Sequence, residues 1–493
     1  MAKKNKPFRP KARRPRGFED RPAQDLRAER ALIDRAFAVY DAWGFEPLQT
    51  PAFEFADALG KFLPDEDRPN VGVFSLQDDD EQWMSLRYDL TAPLARYVAE
   101  NYDGLAKPYR RYQAGSVFRN EKPGPGRFRE FVQCDADCVG AAGPAADAEM
   151  IMLAAEISRA AGLSEAQYQV RVNNRKLLDG ILERSGVPNT DAGATQRLDV
   201  LRSIDKLDRL GPQGVEALLG EGREDDSGAY TKGVGLAPDA IKAVLDFTTA
   251  STGDREGTIS NLQNLVQGSD FGQSGVDELI AIDKILSKTG YGPDRVAFDS
   301  SIVRGLGYYT GPVFEVELLA DIKDRKGRAV RIGSIGGGGR YDDLVSRFRG
   351  QPVPATGFSF GVSRFISALR QMNALENEAR PPIMICAFDR SMMADYFVMA
   401  AELRASGFRT EVFVGSGNIT KQLKYADRRG AHIALLMGED EKQRGEVTLK
   451  DLYLGAEMAK AIKTNEEWKS ARPAQKTIPR DHLIAEIKAM LEG

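Results

Sequence analysis

Apolar positions change rhythm repeatedly along the first third of the chain. From Gln24 to Trp43 they recur at Leu26, Ala31, Leu32, Ala36, Phe37 and Tyr40, the spacing of an amphipathic helix, and Gly44 is placed to cap it. Thr50-Pro51-Ala52-Phe53-Glu54 then reads as an extended entry, because a residue before proline is pushed out of the helical region. Gln82–Arg87 reads as a strand and Ala92–Glu100 as a helix. Tyr109–Phe118 and Phe131–Val139 read as two strands around a loop rich in glycine and proline. A helix over Ala146–Ala161 and a strand around Tyr168–Val172 complete an α+β block.

The pattern changes from about Lys176 to Gly292, where helical spacing dominates (Val200–Leu210, Ile241–Phe247, Glu278–Lys288) and predicts an inserted helical subdomain. Strands resume at Arg295–Asp299, Val313–Leu319 and Ala329–Ile335. The run Gly336–Asp343 follows, and Gly357–Arg364 opens a further helix. Arg380-Pro381-Pro382 marks a boundary. Beyond it, strands at Ile383–Ala387, Thr410–Val414, His432–Met437 and Glu446–Lys450 are interspersed with helices at Ala394–Ala405 and Thr420–Arg428, the pattern of a compact α/β domain. Residues after Arg472 read as a short helical extension. The expected division is a tail at 1–16, a core at 17–175 and 293–380, a helical insertion at 176–292, an α/β domain at 381–470 and an extension at 471–493.

Composition narrows this picture. A chain of 493 residues suggests roughly three domains at about 150 residues each. Its formal net charge is −4, so nucleic-acid binding has to come from local basic patches. One such patch is the terminus: residues 1–16 hold Lys3, Lys4, Lys6, Arg9, Lys11, Arg13, Arg14 and Arg16 and no acid. That composition predicts a disordered tail, either an RNA-contacting arm or a solvated extension. No apolar run approaches the ~20 residues of a membrane span. Cys134, Cys138 and Cys386 make no disulfide framework, which points to a reducing cytoplasm. The only histidines, His432 and His482, lie far from the motifs below, which argues against a histidine general base or a histidine-rich zinc site there. Cys134 and Cys138 lack nearby partners for a metal site, so no metal ligands are assigned.

The chemistry concentrates in two arginine-bearing stretches. Gly115-Ser-Val-Phe-Arg119-Asn-Glu121-Lys-Pro-Gly-Pro-Gly-Arg127-Phe-Arg-Glu-Phe131 places Arg119 and Arg127 at either side of a loop. Arg304-Gly-Leu-Gly-Tyr308-Tyr309-Thr-Gly-Pro-Val-Phe-Glu315 places an arginine before two tyrosines and a strand. Fixed guanidinium forks and aromatic faces suit a flat, anionic, polar ligand, and a nucleoside triphosphate fits that description. Gly336–Arg340 is the nearest approach to a phosphate loop but lacks the following Lys-Ser/Thr, so it reads either as ligand lining or as a tight turn or close backbone packing.

These motifs resemble the class II aminoacyl-tRNA synthetases, and within them the histidyl-tRNA synthetase family, over about Arg16 to Lys463. Thr50-Pro51-x-Phe53-Glu54 resembles the first class motif, Phe118-Arg119-x-Glu121 through Phe131 the second, and Gly357-Phe-Ser-Phe-Gly-Val-Ser-Arg364 the third. The stretches from Arg304 and from Gly337 to Tyr341 are similar to the two signatures peculiar to the histidine family. The resemblance implies an antiparallel-sheet catalytic domain with a helical insertion, a C-terminal α/β anticodon-binding domain and a homodimer joined at the first motif. It also implies ATP and Mg²⁺, L-histidine and tRNA(His) as substrates and partners, histidyl-adenylate as intermediate, and no membrane.

Residue by residue, the resemblance implies that Arg119 and Arg304 hold the α-phosphate and the histidine carboxylate. Arg364 pairs with the γ-phosphate, Glu121 and Phe131 fix the base, and Arg127 belongs to the same ATP site. Asp89, with Leu90 and Thr91, binds the α-amino group near Gln133. Asp137 and Tyr309 read the two imidazole nitrogens, with Tyr308 and Tyr341 lining the pocket. Asp89 and Asp137 stand where many bacterial members carry glutamate, Gly307 where many carry aspartate, and Ser363 where the third motif usually has glutamate. Two rivals are a histidine-sensing regulatory paralogue without activity and a synthetase for another amino acid. The C-terminal α/β block counts against the first and the Arg304–Gly311 stretch against the second.

Overall fold

The computed structural model describes residues 9–59, 72–124, 127–224, 228–303, 309–319, 333–372, 375, 381–454 and 474–492. Within the unit Met1–Asn377, a helix at Ala23–Ala42 leads to the short strands β1 (Glu46–Pro47), β2 (Phe53–Phe55), β3 (Ser75–Gln77) and β4 (Trp83–Leu86). The last three form a small antiparallel sheet in the order β2-β4-β3. Strands β5 (Tyr109–Phe118) and β6 (Glu130–Val139) are ten residues each and pair along their whole length, from Tyr109 opposite Val139 to Phe118 opposite Glu130.

The chain then runs through β7 (Tyr168–Asn174), a small hairpin β8 (Gly222–Glu224) and β9 (Tyr230–Lys232), β10 (Val296–Phe298), β11 (Pro312–Leu318), β12 (Ser334–Arg340) and β13 (Ala355–Phe360). Eight strands assemble in the order β1-β5-β6-β13-β12-β11-β7-β10. Only the edge pairs β1–β5 and β7–β10 are parallel.

Strand alternation sorts this sheet into two chemistries. Val132, Cys134, Ala136 and Cys138 of β6 join a core built with Leu32, Ala36 and Tyr40 of the first helix and with the helix Pro144–Ala160. The intervening Phe131, Gln133, Asp135 and Asp137 point to the other face. Between β7 and β10 the described residues form six helices, from Arg175–Arg184 to Asp270–Lys288. The single helical stretch expected at Val200–Leu210 is two helices, Asp191–Ile204 and Leu207–Leu219. The second is kinked at Gly211, whose φ of 68° only glycine adopts without strain and which precedes Pro212.

The run Gly336–Arg340, which as sequence fits a phosphate-lining loop or a tight turn, is strand. Gly336, Gly337 and Gly338 line the cavity described below, and close packing is a second reason for the glycines. A Cβ on Gly336 would lie 2.9 Å from the Phe358 ring, and one on Gly338 would lie 2.6 Å from Phe314 Cζ. Residues 329–332 of the strand expected before it lie outside the described residues.

The unit Glu378–Gly493 contains β14 (Ile383–Ala387), β15 (Thr410–Val412), β16 (Ile433–Met437), β17 (Glu446–Asp451) and β18 (Gln475–Pro479) in one sheet, ordered β15-β14-β16-β17-β18. Helices Met393–Ala405 and Leu483–Glu492 pack on its apolar face through Tyr396, Met399, Leu403, Leu483 and Ile487. The C-terminal stretch expected to be only helical thus opens with a strand. Gln475–Pro479 is mostly polar because it pairs only with β17 and leaves its outer side to water.

Candidate active site

The polar face of the large sheet carries a cavity of about 500 Å³. It brings together Arg119, Glu121, Arg127, Phe131, Gln133, Tyr309 and Arg364 over the glycines of β12. They come from strand β6, from the loop between β5 and β6, and from the segments that lead into β11 and out of β13. Arg119 closes β5, where its Nε donates to the Tyr88 carbonyl at 3.2 Å and its guanidinium lies 5.1 Å from the centre of the Phe131 ring. Arg364 sits in the first turn of the helix Val362–Gln371 and donates to the Ser334 carbonyl at 2.8 Å. Tyr309 rests against Gly339, where a Cβ would come within 2.8 Å of its ring. Arg304 and Tyr308 lie outside the described residues.

Asp89, Leu90, Thr91, Asp137 and Tyr341 are not among the cavity-lining residues. Asp89 caps the helix Thr91–Asn101, accepting the backbone N–H groups of Thr91 at 3.2 Å and Ala92 at 2.9 Å. Burial raises the pKa of Asp89 against those bonds and against the charge of Arg119. Leu90 is fully buried, and its carbonyl accepts from Arg111 Nη2 at 2.8 Å.

Asp137 is only 2% exposed. It accepts the hydroxyl of Tyr341, and its second oxygen lies 2.8 Å from Arg111 Nη2. Burial lifts its pKa, while Arg111 and Tyr341 pull it down. The aspartate expected to read imidazole is therefore anchored from beneath by a tyrosine and a wholly buried arginine. Gly357, its cross-strand neighbour, makes room for it: a Cβ there would lie 2.8 Å from Asp137 Cγ.

Asp135 does not stand out in the sequence, although it lies between the two candidates Gln133 and Asp137. Gln133 Nε2 donates to Ser359 Oγ at 2.5 Å, and Ser359 Oγ donates to Asp135 Oδ1 at 2.6 Å. Burial and the nearby Asp137 push the Asp135 carboxyl up to about 8, with Arg111 and Ser359 opposing. Gln133 Oε1 and Asp135 Oδ2 are buried without a hydrogen-bond partner among the described residues. Strand alternation is the signal that points to Asp135, since the odd positions 131 to 137 of one strand share a face. Arg87 is a second residue that sequence reasoning misses. It fills the space left by Gly115, where a Cβ would strike it, and donates to the Ser116 carbonyl at 2.9 Å and the Thr50 carbonyl at 2.8 Å.

Two further residues receive structural roles. Ser363 accepts the Val132 N–H at 2.8 Å, tying the helix start to β6. Arg340 is buried against Asp147, at 2.7 and 3.0 Å, and so belongs to the scaffold.

A largely antiparallel sheet, an arginine hairpin with a stacking phenylalanine and an arginine opening the following helix are the marks of the class II aminoacyl-tRNA synthetase catalytic domain. Comparison with known proteins narrows this. Residues 17–365 match the family model described as histidyl-tRNA synthetase, and residues 383–490 match the anticodon binding domain. A protein of Caulobacter vibrioides named histidine–tRNA ligase is 55% identical over 491 residues, covering 99% of this chain and 98% of that one. One of Bradyrhizobium diazoefficiens with the same name is 54% identical over 502 residues, covering 100% and 98%. The crystal structure of histidyl-tRNA synthetase from Nostoc sp. PCC 7120 superposes with a TM-score of 0.72 at 27% identity, covering 98% of this chain and all of that one. The chain belongs to the histidyl-tRNA synthetase family.

Proposed function

We propose that this protein joins histidine to tRNA(His) in two steps. A histidine carboxylate oxygen attacks the α-phosphorus of ATP, forming histidyl-adenylate and expelling pyrophosphate. The terminal ribose hydroxyl of the tRNA then attacks the activated carbonyl, and AMP leaves. The relatives named histidine–tRNA ligase support this reading over their full length. The observation that carries it for this chain is the arrangement around one cavity: arginines line it, and buried carboxylates with unmatched acceptor atoms lie beside it. Such a site complements a triphosphate on one side and the N–H donors of an amino acid on the other.

In this proposal Arg119 and Arg304 grip the α-phosphate and the carboxylate, where charge develops in the transition state. Arg364 and Arg127 hold the outer phosphates, Phe131 stacks on the base and Glu121 accepts from its amine. Asp89, Thr91 and Gln133 receive the α-ammonium group. Asp137 and Tyr309 receive the imidazole, with Leu90, Tyr308 and Tyr341 shaping the pocket. Two hydrogen bonds to one ring give strong rejection of analogues, because each missing bond strands a buried polar group.

ATP is expected to bring Mg²⁺, which would neutralise phosphate charge. Among the described residues no group of three His, Cys, Asp or Glu side chains forms an ion site. Glu121, a carboxylate that lines the cavity, is the residue that would help hold the ion there.

The homodimer is proposed on the first motif. Phe53, Phe55 and Trp83 expose 40%, 54% and 45% of their surface on the small sheet, and Phe53 and Phe55 border a second cavity. Apolar patches of that kind mark protein interfaces. The division into a class II core, a helical insertion and an anticodon-binding domain is retained, with β18 and the last helix counted in the third. Cytoplasmic action fits three buried, unbridged cysteines and the lack of a described helix long and apolar enough to cross a membrane.

The experiment is charging of tRNA(His) transcript with labelled histidine. ATP-dependent charging is expected. A folded protein that binds histidine and charges no tRNA would instead be a regulatory paralogue.

A further inference from the structure

We propose that the basic segment Arg9–Arg16 is a clamp for the phosphate backbone of the tRNA acceptor stem, held at the rim of the active-site cavity. The inference rests on the charging reading above, and it concerns a part of the chain to which that reading gives no task.

Position comes first. Arg119, which lines the cavity, donates its backbone N–H to the Arg129 carbonyl at 2.9 Å, and Arg129 donates its own to the Gly17 carbonyl at 2.8 Å. Two backbone hydrogen bonds, roughly 10 Å at strand spacing, thus connect the cavity to the end of the basic segment. The junction is built for this contact. Gly17 adopts a φ of 87°, and a Cβ there would lie 2.8 Å from Arg129 Cγ. Phe18 packs on Phe74 with ring centres 5.8 Å apart, and the Arg129 guanidinium lies 6.0 Å from the same ring. Glu19 and Arg21, just beyond the junction, border a small cavity behind Phe131.

Charge comes second. Residues 9–16 read Arg-Pro-Lys-Ala-Arg-Arg-Pro-Arg, and all eight are exposed. Arg14 makes a 3.6 Å pair with the exposed Asp20. Among the described residues Arg9, Lys11, Arg13 and Arg16 have no acidic partner. Four cations without an acidic partner among the described residues, on a segment that ends at the Gly17 contact and in a chain whose formal net charge is −4, form a local anion-binding strip.

The shape selects the partner. Pro10 and Pro15 stiffen the segment, which can span roughly 25 Å when extended. It has no large apolar side chain to insert into a lipid surface, as a membrane-binding segment would need. An RNA whose 3′ end must enter the cavity necessarily brings a stem past its rim. Arginine forks spaced along a stiff segment suit such a row of phosphates.

The test replaces Arg9, Lys11, Arg13 and Arg16 together by alanine in the full chain. KM for tRNA should rise about tenfold near physiological salt, and the salt dependence of kcat/KM should become shallower by roughly one for each phosphate no longer neutralised. Histidine-dependent ATP–pyrophosphate exchange should stay within about twofold, since that step involves no RNA phosphate. The same rise should appear with a minihelix containing only the acceptor stem. An unchanged KM and salt slope would overturn the proposal, and so would a defect on whole tRNA that the minihelix does not show. A parallel fall in exchange would also overturn it, by making the segment a brace for the hairpin. Failure of the charging reading is separate, because the unaltered protein would then charge no tRNA at all.

Discussion

Cys134 and Asp135 are adjacent in β6 and equally hidden, at 0% and 1% exposed, yet they belong to different chemistries. Cys134 joins a core of aliphatic and aromatic side chains between sheet and helices. Asp135 faces Ser359, Asp137 and the buried Arg111. Burial raises the pKa of both groups, and the neighbouring Asp137 carboxyl raises that of Asp135 further. The same strand thus presents a side that stabilises the fold and a side whose buried polar groups oppose it. Buried polar groups of that kind are tolerated where a ligand completes them.

The strongest way to break the comparison is on the polar side. Arg119→Ala should lower histidine-dependent exchange by about a thousandfold, the scale for removing a donor from developing charge, with Tm nearly unchanged, and the role proposed for Arg304 predicts the same loss of exchange in Arg304→Ala. Near-normal exchange in either variant would remove that arginine from the mechanism.

The matching change on the apolar side should do the reverse. Phe358 is 2% exposed and stacks on Phe314 with centres 6.1 Å apart. Phe358→Ala should cost about 3–5 kcal/mol of stability, read as a lower denaturation midpoint, while exchange per folded molecule changes little.

A pH series sharpens the contrast. An unfolded aspartate titrates near 4, whereas folded Asp135 titrates at about 8. Between those values the folded state holds a proton that the unfolded state has lost, so rising pH weakens the fold across that window and leaves it level above. Asp135→Asn should flatten the fall of Tm between roughly pH 5 and 8. An identical slope in both proteins would show that Asp135 does not carry it.

The smallest effect is expected where the two sides meet. Ser363→Ala removes the acceptor of the Val132 N–H and should cost about 1 kcal/mol. Adenylate formation should remain, since Arg364 keeps its own bond to the Ser334 carbonyl.

How far the sequence can be read follows from the same alternation. The second strand of the arginine hairpin is legible because apolar and polar residues alternate from Val132 to Cys138 of β6. Strand β12 is not, because Gly336–Gly339 carry no side chains to show a period. The helix break at Asp205–Lys206 is hidden because apolar spacing continues on both sides of it. Arginines and tyrosines of the site stand out as motifs. Asp135 and Ser359 do not, because their importance comes from a hydrogen bond between residues 224 positions apart.

The most direct measurement is ATP–pyrophosphate exchange with each standard amino acid in turn. The family, with cavity arginines over the buried Asp135 and Asp137, predicts exchange with histidine alone. Exchange with another amino acid, or with none while histidine still binds, would contradict the account.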